Sequence, residues 1–306
     1  MAASRPFTRR TLLAVAALIP LAACTSPGTP APPPSPLPST TPPVPDEHLV
    51  ALERKYDARL GVFALNTSTG ASLAHRADER FAFCSTFKGL AAAAVLHRNP
   101  MSHLDTLVRY AKQDLLKSGV VTSQHVATGM TIRDLCDAAV RHSDGTAGNL
   151  LLRDLGGPQQ LTEYLRGLGD TVTRMDRTEP AIVEATPGDP RDTSTPRSLG
   201  TSYQKIVLGD ALTEDKRAFL RDLMERPATQ AGAQRVRAGL PKDWRVADKT
   251  GTGDYGTLND IALVWPPGKA PLLIAIMSSK AAKDAKYDHQ PMLAEAASYA
   301  ATTLTR

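Results

Sequence analysis

The sequence predicts an α+β fold: an antiparallel sheet flanked by helices from both chain ends, with an all-helical domain inserted into the middle of the chain. Three observations carry this. Strand-like runs cluster near the two ends of the folded part, a helical pattern stands at each of its termini, and from Thr86 to about Glu225 helix follows helix with little strand signal.

Residues 1–24 read as an export signal. Arg5, Arg9 and Arg10 precede an apolar run, Leu12 to Ala23, too short to span a bilayer as a mature helix. Leu21-Ala22-Ala23-Cys24 resembles a bacterial lipoprotein box, with Cys24 as the lipid anchor, and Thr8 to Leu13 partly resembles a twin-arginine signal. The alternative is an ordinary cleaved signal with an incidental cysteine. The expected location is the outer face of the cell membrane, held by lipid only, or the medium. Residues 25–46 form a tether with ten prolines and no charge between Thr25 and Pro45, a composition that cannot bury a core.

About 260 residues follow, enough for one large or two ordinary domains. The chain carries +5, but its first 45 residues hold three arginines and no acid, so the remainder is close to +2. That is too mild for a nucleic-acid partner, and no basic stripe with interleaved aromatics occurs. Only Cys84 and Cys136 lie beyond the anchor, and spacing alone leaves a disulfide between them open. HExxH, Cys-x-x-Cys and a Gly-rich phosphate loop are all missing, which disfavours metals and nucleotide cofactors, so none is expected.

His48 to Leu60 reads as a helix, with Leu49, Leu52, Tyr56 and Leu60 on one stripe. Gly61–Leu65 and Ala71–His75 read as a hairpin. The runs 244–247, 261–265 and 272–276 read as three further strands, and Pro291 to Leu304 as a closing helix. The sheet would therefore draw on residues 47–84 and 226–306, the helical domain on 85–225, and the cleft would lie between them.

The chemistry-bearing stretch is Cys84-Ser85-Thr86-Phe87-Lys88. Ser and Lys three apart share a face only on a helix, and the alanine-rich run that follows is a strong helix former, ended by Pro100. Ser85 then sits where unpaired N–H groups and the positive end of the helix dipole favour developing negative charge. A nucleophile with a nearby base and aimed donors suits acyl transfer, whereas the bland alternative is a Ser N-cap and a solvated Lys. Ser143-Asp144-Gly145 falls on a turn between two helices, where Ser143 could carry a proton into a cleft, or where the pair could simply cap the next helix. Lys249-Thr250-Gly251-Thr252-Gly253 ends a strand, and its glycines mark close approach of another backbone or a ligand. An edge strand protected by a gatekeeper lysine is the competing view. Arg177-Thr178-Glu179-Pro180 opens a long irregular stretch to Pro196, which an Arg177–Asp192 ion pair could close. Glu179 would point inward, or remain a solvated surface carboxylate.

In this order and spacing, Ser85-x-x-Lys88, Ser143-Asp144-Gly145, Glu179 and Lys249-Thr250-Gly251 resemble the motif set of class A serine β-lactamases over roughly residues 47–306. The resemblance implies the β-lactamase/penicillin-binding fold, a small-molecule β-lactam substrate and a monomer. It makes Ser85 the nucleophile, with the backbone N–H groups of Ser85 and Thr252 as oxyanion donors. Ser143 becomes the proton carrier to the leaving nitrogen, steadied by Lys249, and Glu179 the activator of the hydrolytic water. Either Lys88 or Glu179 removes the Ser85 proton. Lys249, Thr250, Thr252 and Arg235 would clamp the substrate carboxylate, with Arg237 second to Arg235, because Leu258 stands where many members carry an arginine.

Three positions depart from the pattern. Gly145 replaces the usual asparagine of the Ser-Asp-Asn motif, removing an amide from the substrate-binding set. Val183 occupies the place of an asparagine that shares the hydrolytic water, and Ser118 the place of an aromatic that walls the cleft. Two other readings follow: a penicillin-binding D,D-peptidase, which normally lacks the loop glutamate, and a lipoprotein that binds β-lactams or cell-wall peptides without turnover.

Overall fold

The computed structural model describes residues 46–306, so the export signal, Cys24 and nearly all of the tether lie outside the described residues. Helix α1 (Glu47–Tyr56) is capped by Asp46, whose side chain accepts from Leu49 N at 3.1 Å. It stops four residues earlier than its apolar stripe suggests, because Asp57 takes a left-handed conformation (φ 45°) and donates its N–H to Glu53 O. Leu60 belongs instead to strand β1 (Arg59–Asn66), which turns back into β2 (Ser72–His75).

After the short β3 (Phe81–Ala82), a 3₁₀ turn at Cys84–Thr86 leads into α2 (Phe87–Arg98). The central block comprises β4 (Leu107–Val108), β5 (Met130–Thr131), α3 (Ile132–Arg141), α4 (Gly145–Leu155) and α5 (Pro158–Gly167). β6 (Thr193–Ser194), α6 (Pro196–Val207), α7 (Glu214–Glu225) and α8 (Gln230–Gln234) follow, and then β7 (Arg245–Gly253), β8 (Thr257–Trp265), β9 (Leu272–Ser279) and α9 (Gln290–Thr305). The pairs β3–β6 and β4–β5 are two-residue ladders, too short to leave a periodic signature.

The five-stranded sheet has the order β2-β1-β9-β8-β7 and is antiparallel throughout, so the expected assembly from both chain ends is present. Its two strands from the start meet its three from the end at β1–β9, where Leu60 lies opposite Ser278 and Asn66 opposite Leu272. One face packs on α1 and α9 through Leu49, Leu52, Val62, Ile274, Leu293 and Ala297. The other carries Phe63, Leu273 and Ala275 against α6 and continues into the helical block. Gly200 allows that contact, since a Cβ there would stand 2.9 Å from the Ala275 Cβ.

Helix α2 runs through the middle of the block, with every residue from Phe87 to Leu96 buried. Each large apolar side chain so buried contributes about 1.5–3 kcal/mol, which makes this helix a rigid platform. At the other side β7 is the edge strand of the sheet, and its Gly251 and Gly253 lie against the Cys84–Thr86 turn.

Candidate active site

Ser85 sits in the 3₁₀ turn immediately before α2, rather than in the α-helix proper. The turn is held from two sides. Tyr203 donates its hydroxyl to Thr86 O at 2.5 Å, and the Asn259 amide donates to Ala82 O and Phe83 O at 2.9 and 3.1 Å. Cys84 carries the strain of the bend (φ 48°) and is fully buried, and burial pushes its thiol up to about 12. Cys84 and Cys136 are both free thiols.

Lys88, one turn along, is fully buried. Its ammonium is 2.9 Å from Ser85 Oγ, 2.6 Å from Glu179 Oε1 and 2.7 Å from Ser143 O, which uses its three donors. Burial lowers its pKa and the Glu179 carboxylate acts against that. Room for the aliphatic stem comes from Gly148 on α4, where a Cβ would stand 2.9 Å from Lys88 Cε.

Ser143 and Asp144 divide the two roles that the sequence left open. Asp144 is the N-cap of α4, accepting from Ala147 N at 2.8 Å, and it also accepts from Val121 N and Thr122 N at 2.9 Å. Ser143 is thereby freed. Its left-handed backbone (φ 56°) aims Oγ at Lys249 Nζ, 3.1 Å away, with Lys88 Nζ at 3.5 Å.

Lys249 is buried on β7, not solvated as a gatekeeper would be. Burial first, and repulsion from Lys88 second, bring its pKa down to about 7. Gly251 and Gly253 mark the close approach expected of them: a Cβ on Gly251 would stand 2.6 Å from Phe83 O, and one on Gly253 2.7 Å from Val183 O. Thr250 is buried opposite Asp260, and Thr252 lies opposite Leu258, whose side chain packs into the core on the α1–α9 face. Arg235 donates to Thr252 Oγ1 at 2.7 Å, to Gly251 O at 2.7 Å and to Asn259 O at 2.8 Å. Arg237 is bound elsewhere, to the buried Asp248 at 2.6 Å, so Arg235 is the arginine that reaches the strand.

The loop from Arg177 to Pro196 is closed by the expected ion pair, Arg177 Nε to Asp192 Oδ2 at 2.6 Å. Asp192 also accepts from Asp176 N and Arg177 N at 2.8 and 3.0 Å. Glu179 is buried, and its Oε1 accepts from Ser85 Oγ at 3.2 Å. Its backbone is clasped by Asn149 of α4, which accepts from Glu179 N at 3.0 Å and donates to Glu179 O at 2.9 Å. Asn149 was not singled out from the sequence. The available signal was an asparagine among leucines inside a helix, where it is a poor helix former unless its amide is needed. Gly148, Tyr203 and Asn259 were missed as well, since their roles depend on neighbours more than fifty residues away in the chain. Val183 is half-buried and brings no side-chain hydrogen bond to the site.

A cavity of about 820 Å³ lies behind the same loop, along Arg59, Arg80, Arg177 and Arg191, and includes none of the Ser85 cluster. Among the described residues no group of three or more His, Cys, Asp or Glu could hold a metal ion.

A serine hydroxyl between a buried lysine and a carboxylate, beside a second serine on an inter-helix turn that a lysine of the edge strand reaches, is an arrangement for acyl transfer. A family model described as the beta-lactamase enzyme family matches residues 45–303. The chain is 52% identical to a β-lactamase of Mycobacterium tuberculosis over 98% of this chain and 99% of that one. It is 54% identical to a β-lactamase of Amycolatopsis lactamdurans, over 88% and 89%. The class A β-lactamase from Clostridium kluyveri DSM 555 has a similar structure, with a TM-score of 0.82 at 47% identity, covering 85% of this chain and 98% of that one. The chain belongs to the class A serine β-lactamases.

Proposed function

We propose that Ser85 hydrolyses β-lactams through an ester, the chemistry of the family to which the chain belongs. The observation that carries this is one hydroxyl within 2.9 Å of Lys88 Nζ and 3.2 Å of Glu179 Oε1. Ser85 Oγ attacks the lactam carbonyl while its proton passes to Glu179, or to a Lys88 that has first given a proton to that carboxylate, both within reach. The developing oxyanion is received by the N–H groups of Ser85 and Thr252, each such donor contributing about 10²–10³ in rate. As the C–N bond breaks, Ser143 gives its proton to the nitrogen and is re-protonated by Lys88, which takes up the proton lost by Ser85, while Lys249 steadies the transient charge. Water then attacks the ester, passing its proton to Glu179, and Ser85 leaves with a proton restored. Lys249, Thr250, Thr252 and Arg235 meet the substrate carboxylate, and Gly145 lines the cleft beside them.

The test is a chromogenic cephalosporin mixed with the purified protein. Hydrolysis of many substrate molecules per protein molecule is expected, and a single stoichiometric burst would return the peptidase or sensor reading. Neither alternative has a specific observation in its favour. For residues 1–46 the reading is export, followed by lipidation of Cys24 and a Pro-rich tether that holds a monomer off the membrane. It rests on Arg5, Arg9, Arg10 and the Leu12–Cys24 run. Labelled fatty acid should enter the protein in bacteria and fail to enter Cys24→Ser.

A further inference from the structure

Glu179 has two carboxylate oxygens with different company. Oε1 accepts from Lys88 and Ser85. Oε2 has one partner among the described residues, the Ser118 hydroxyl at 3.1 Å. A buried ionised carboxylate calls for donors at both oxygens. The neighbouring Val183 has none to give.

Two features of the chain make room for that bond and hold it. Gly145 is the first: a Cβ built on it would overlap both Glu179 Oε2 and Ser118 Oγ, so any side chain at 145 would push the pair apart. The second is the anchoring of the Ser118 segment. Ser118 O accepts from Gly145 N at 3.3 Å and from Val120 N at 3.0 Å, and the next turn is fixed by Asp144. Gly119 fits closely, with a would-be Cβ 2.6 Å from Thr146 Oγ1. Ser118 is therefore exposed at the lip of the cleft yet held in place by its backbone.

We infer that Ser118 is a positioning residue for Glu179, and that it and Gly145 form one unit: the hydroxyl fixes the outer carboxylate oxygen in the space that the absent side chain leaves. This rests on Glu179 acting as the base of ester hydrolysis. Ser118 acts through Glu179, so its removal should slow hydrolysis of the ester and spare its formation. Two of the departures from the family pattern, at 118 and 145, thus belong together.

Rapid mixing of penicillin with the full-length protein, followed by mass spectrometry of the Ser85 ester, separates the two steps. Ser118→Ala should lower the rate of ester hydrolysis about tenfold, the low end of what a hydrogen bond to a charged group contributes. Ester formation and KM for formation should change less than about twofold, and Ser118→Thr, which keeps the hydroxyl, should recover most of the loss. Gly145→Ala should also slow hydrolysis, and combining it with Ser118→Ala should cost less than the product of the two effects. Parent-like hydrolysis in Ser118→Ala, equal losses in both steps, or independent effects of 118 and 145 would overturn the inference. Glu179→Gln is the control: if it traps no ester, the role of Glu179 falls and the inference with it, whereas if it traps ester while Ser118→Ala behaves as the parent, only the role of Ser118 falls.

Discussion

The two sides of the Ser85 cluster are built differently. On one side stand the turn before α2, a helix buried along its length, and β7, locked by backbone approach at Gly251 and Gly253. On the other side Glu179 rides on a loop with little regular structure, held by a few polar clasps from Asn149, Arg177 and Asp192. The first side rests on apolar burial and the second on hydrogen bonds and charge. On the proposed mechanism the nucleophile stands on the rigid side, and the carboxylate that serves ester hydrolysis stands on the polar one. A family member can thus alter turnover by changing the loop or its neighbours without disturbing the nucleophile.

The most severe test of this division is Glu179→Gln. Ester hydrolysis should fall by about 10²–10⁴, the usual contribution of a general base, and a covalent adduct on Ser85 should become visible by mass spectrometry. If the variant clears the adduct as fast as the parent, the division is wrong. Next in size is Asp192→Asn, which leaves the guanidinium of Arg177 facing a neutral amide. Breaking a buried pair costs about 3–5 kcal/mol in other proteins, and the half-buried Arg177 places this one at or below the low end. Proteolysis should cut between 177 and 196 more readily, while stoichiometric acylation survives.

The smallest effect is a pH dependence on the rigid side. With a pKa near 7 when folded against an ordinary value of 10.5, Lys249 loses its charge as pH rises through about 7. kcat/KM, which follows the free enzyme, should fall above that pH, and Lys249→Arg should move the fall to higher pH. The linkage sign for stability is opposite to that of a stabilising ion pair. Between about pH 7 and 10.5 the unfolded chain binds the proton that the folded one rejects, so this group's share of stability rises with pH across that window.

How much of this could be read beforehand follows the same division. Ser85 and Lys88 were legible because i and i+3 on a helix face one another, and the sheet because apolar runs at both chain ends alternate with turn residues. The apolar stripe overruns the end of α1 because Leu60 continues it by coincidence, and only the left-handed Asp57 separates helix from strand. Arg177–Asp192 was legible as opposite charges at the ends of one loop. Asn149 was not, since an asparagine inside a helix does not say which backbone, here one 30 residues away, its amide will clasp. Gly145 was read as a missing amide, and its neighbours give it a second meaning, since the empty space is occupied by Glu179 and Ser118.

Cys84 offers a last consequence. A thiol is intrinsically the better nucleophile, and this one is adjacent in sequence to Ser85. Sealed beneath Gly253 and pushed up to about 12, it stays protonated and out of reach. Alkylating reagents and mild oxidants should therefore leave the folded protein working, and this thiol does not compete with the neighbouring Ser85 hydroxyl for an incoming acyl group.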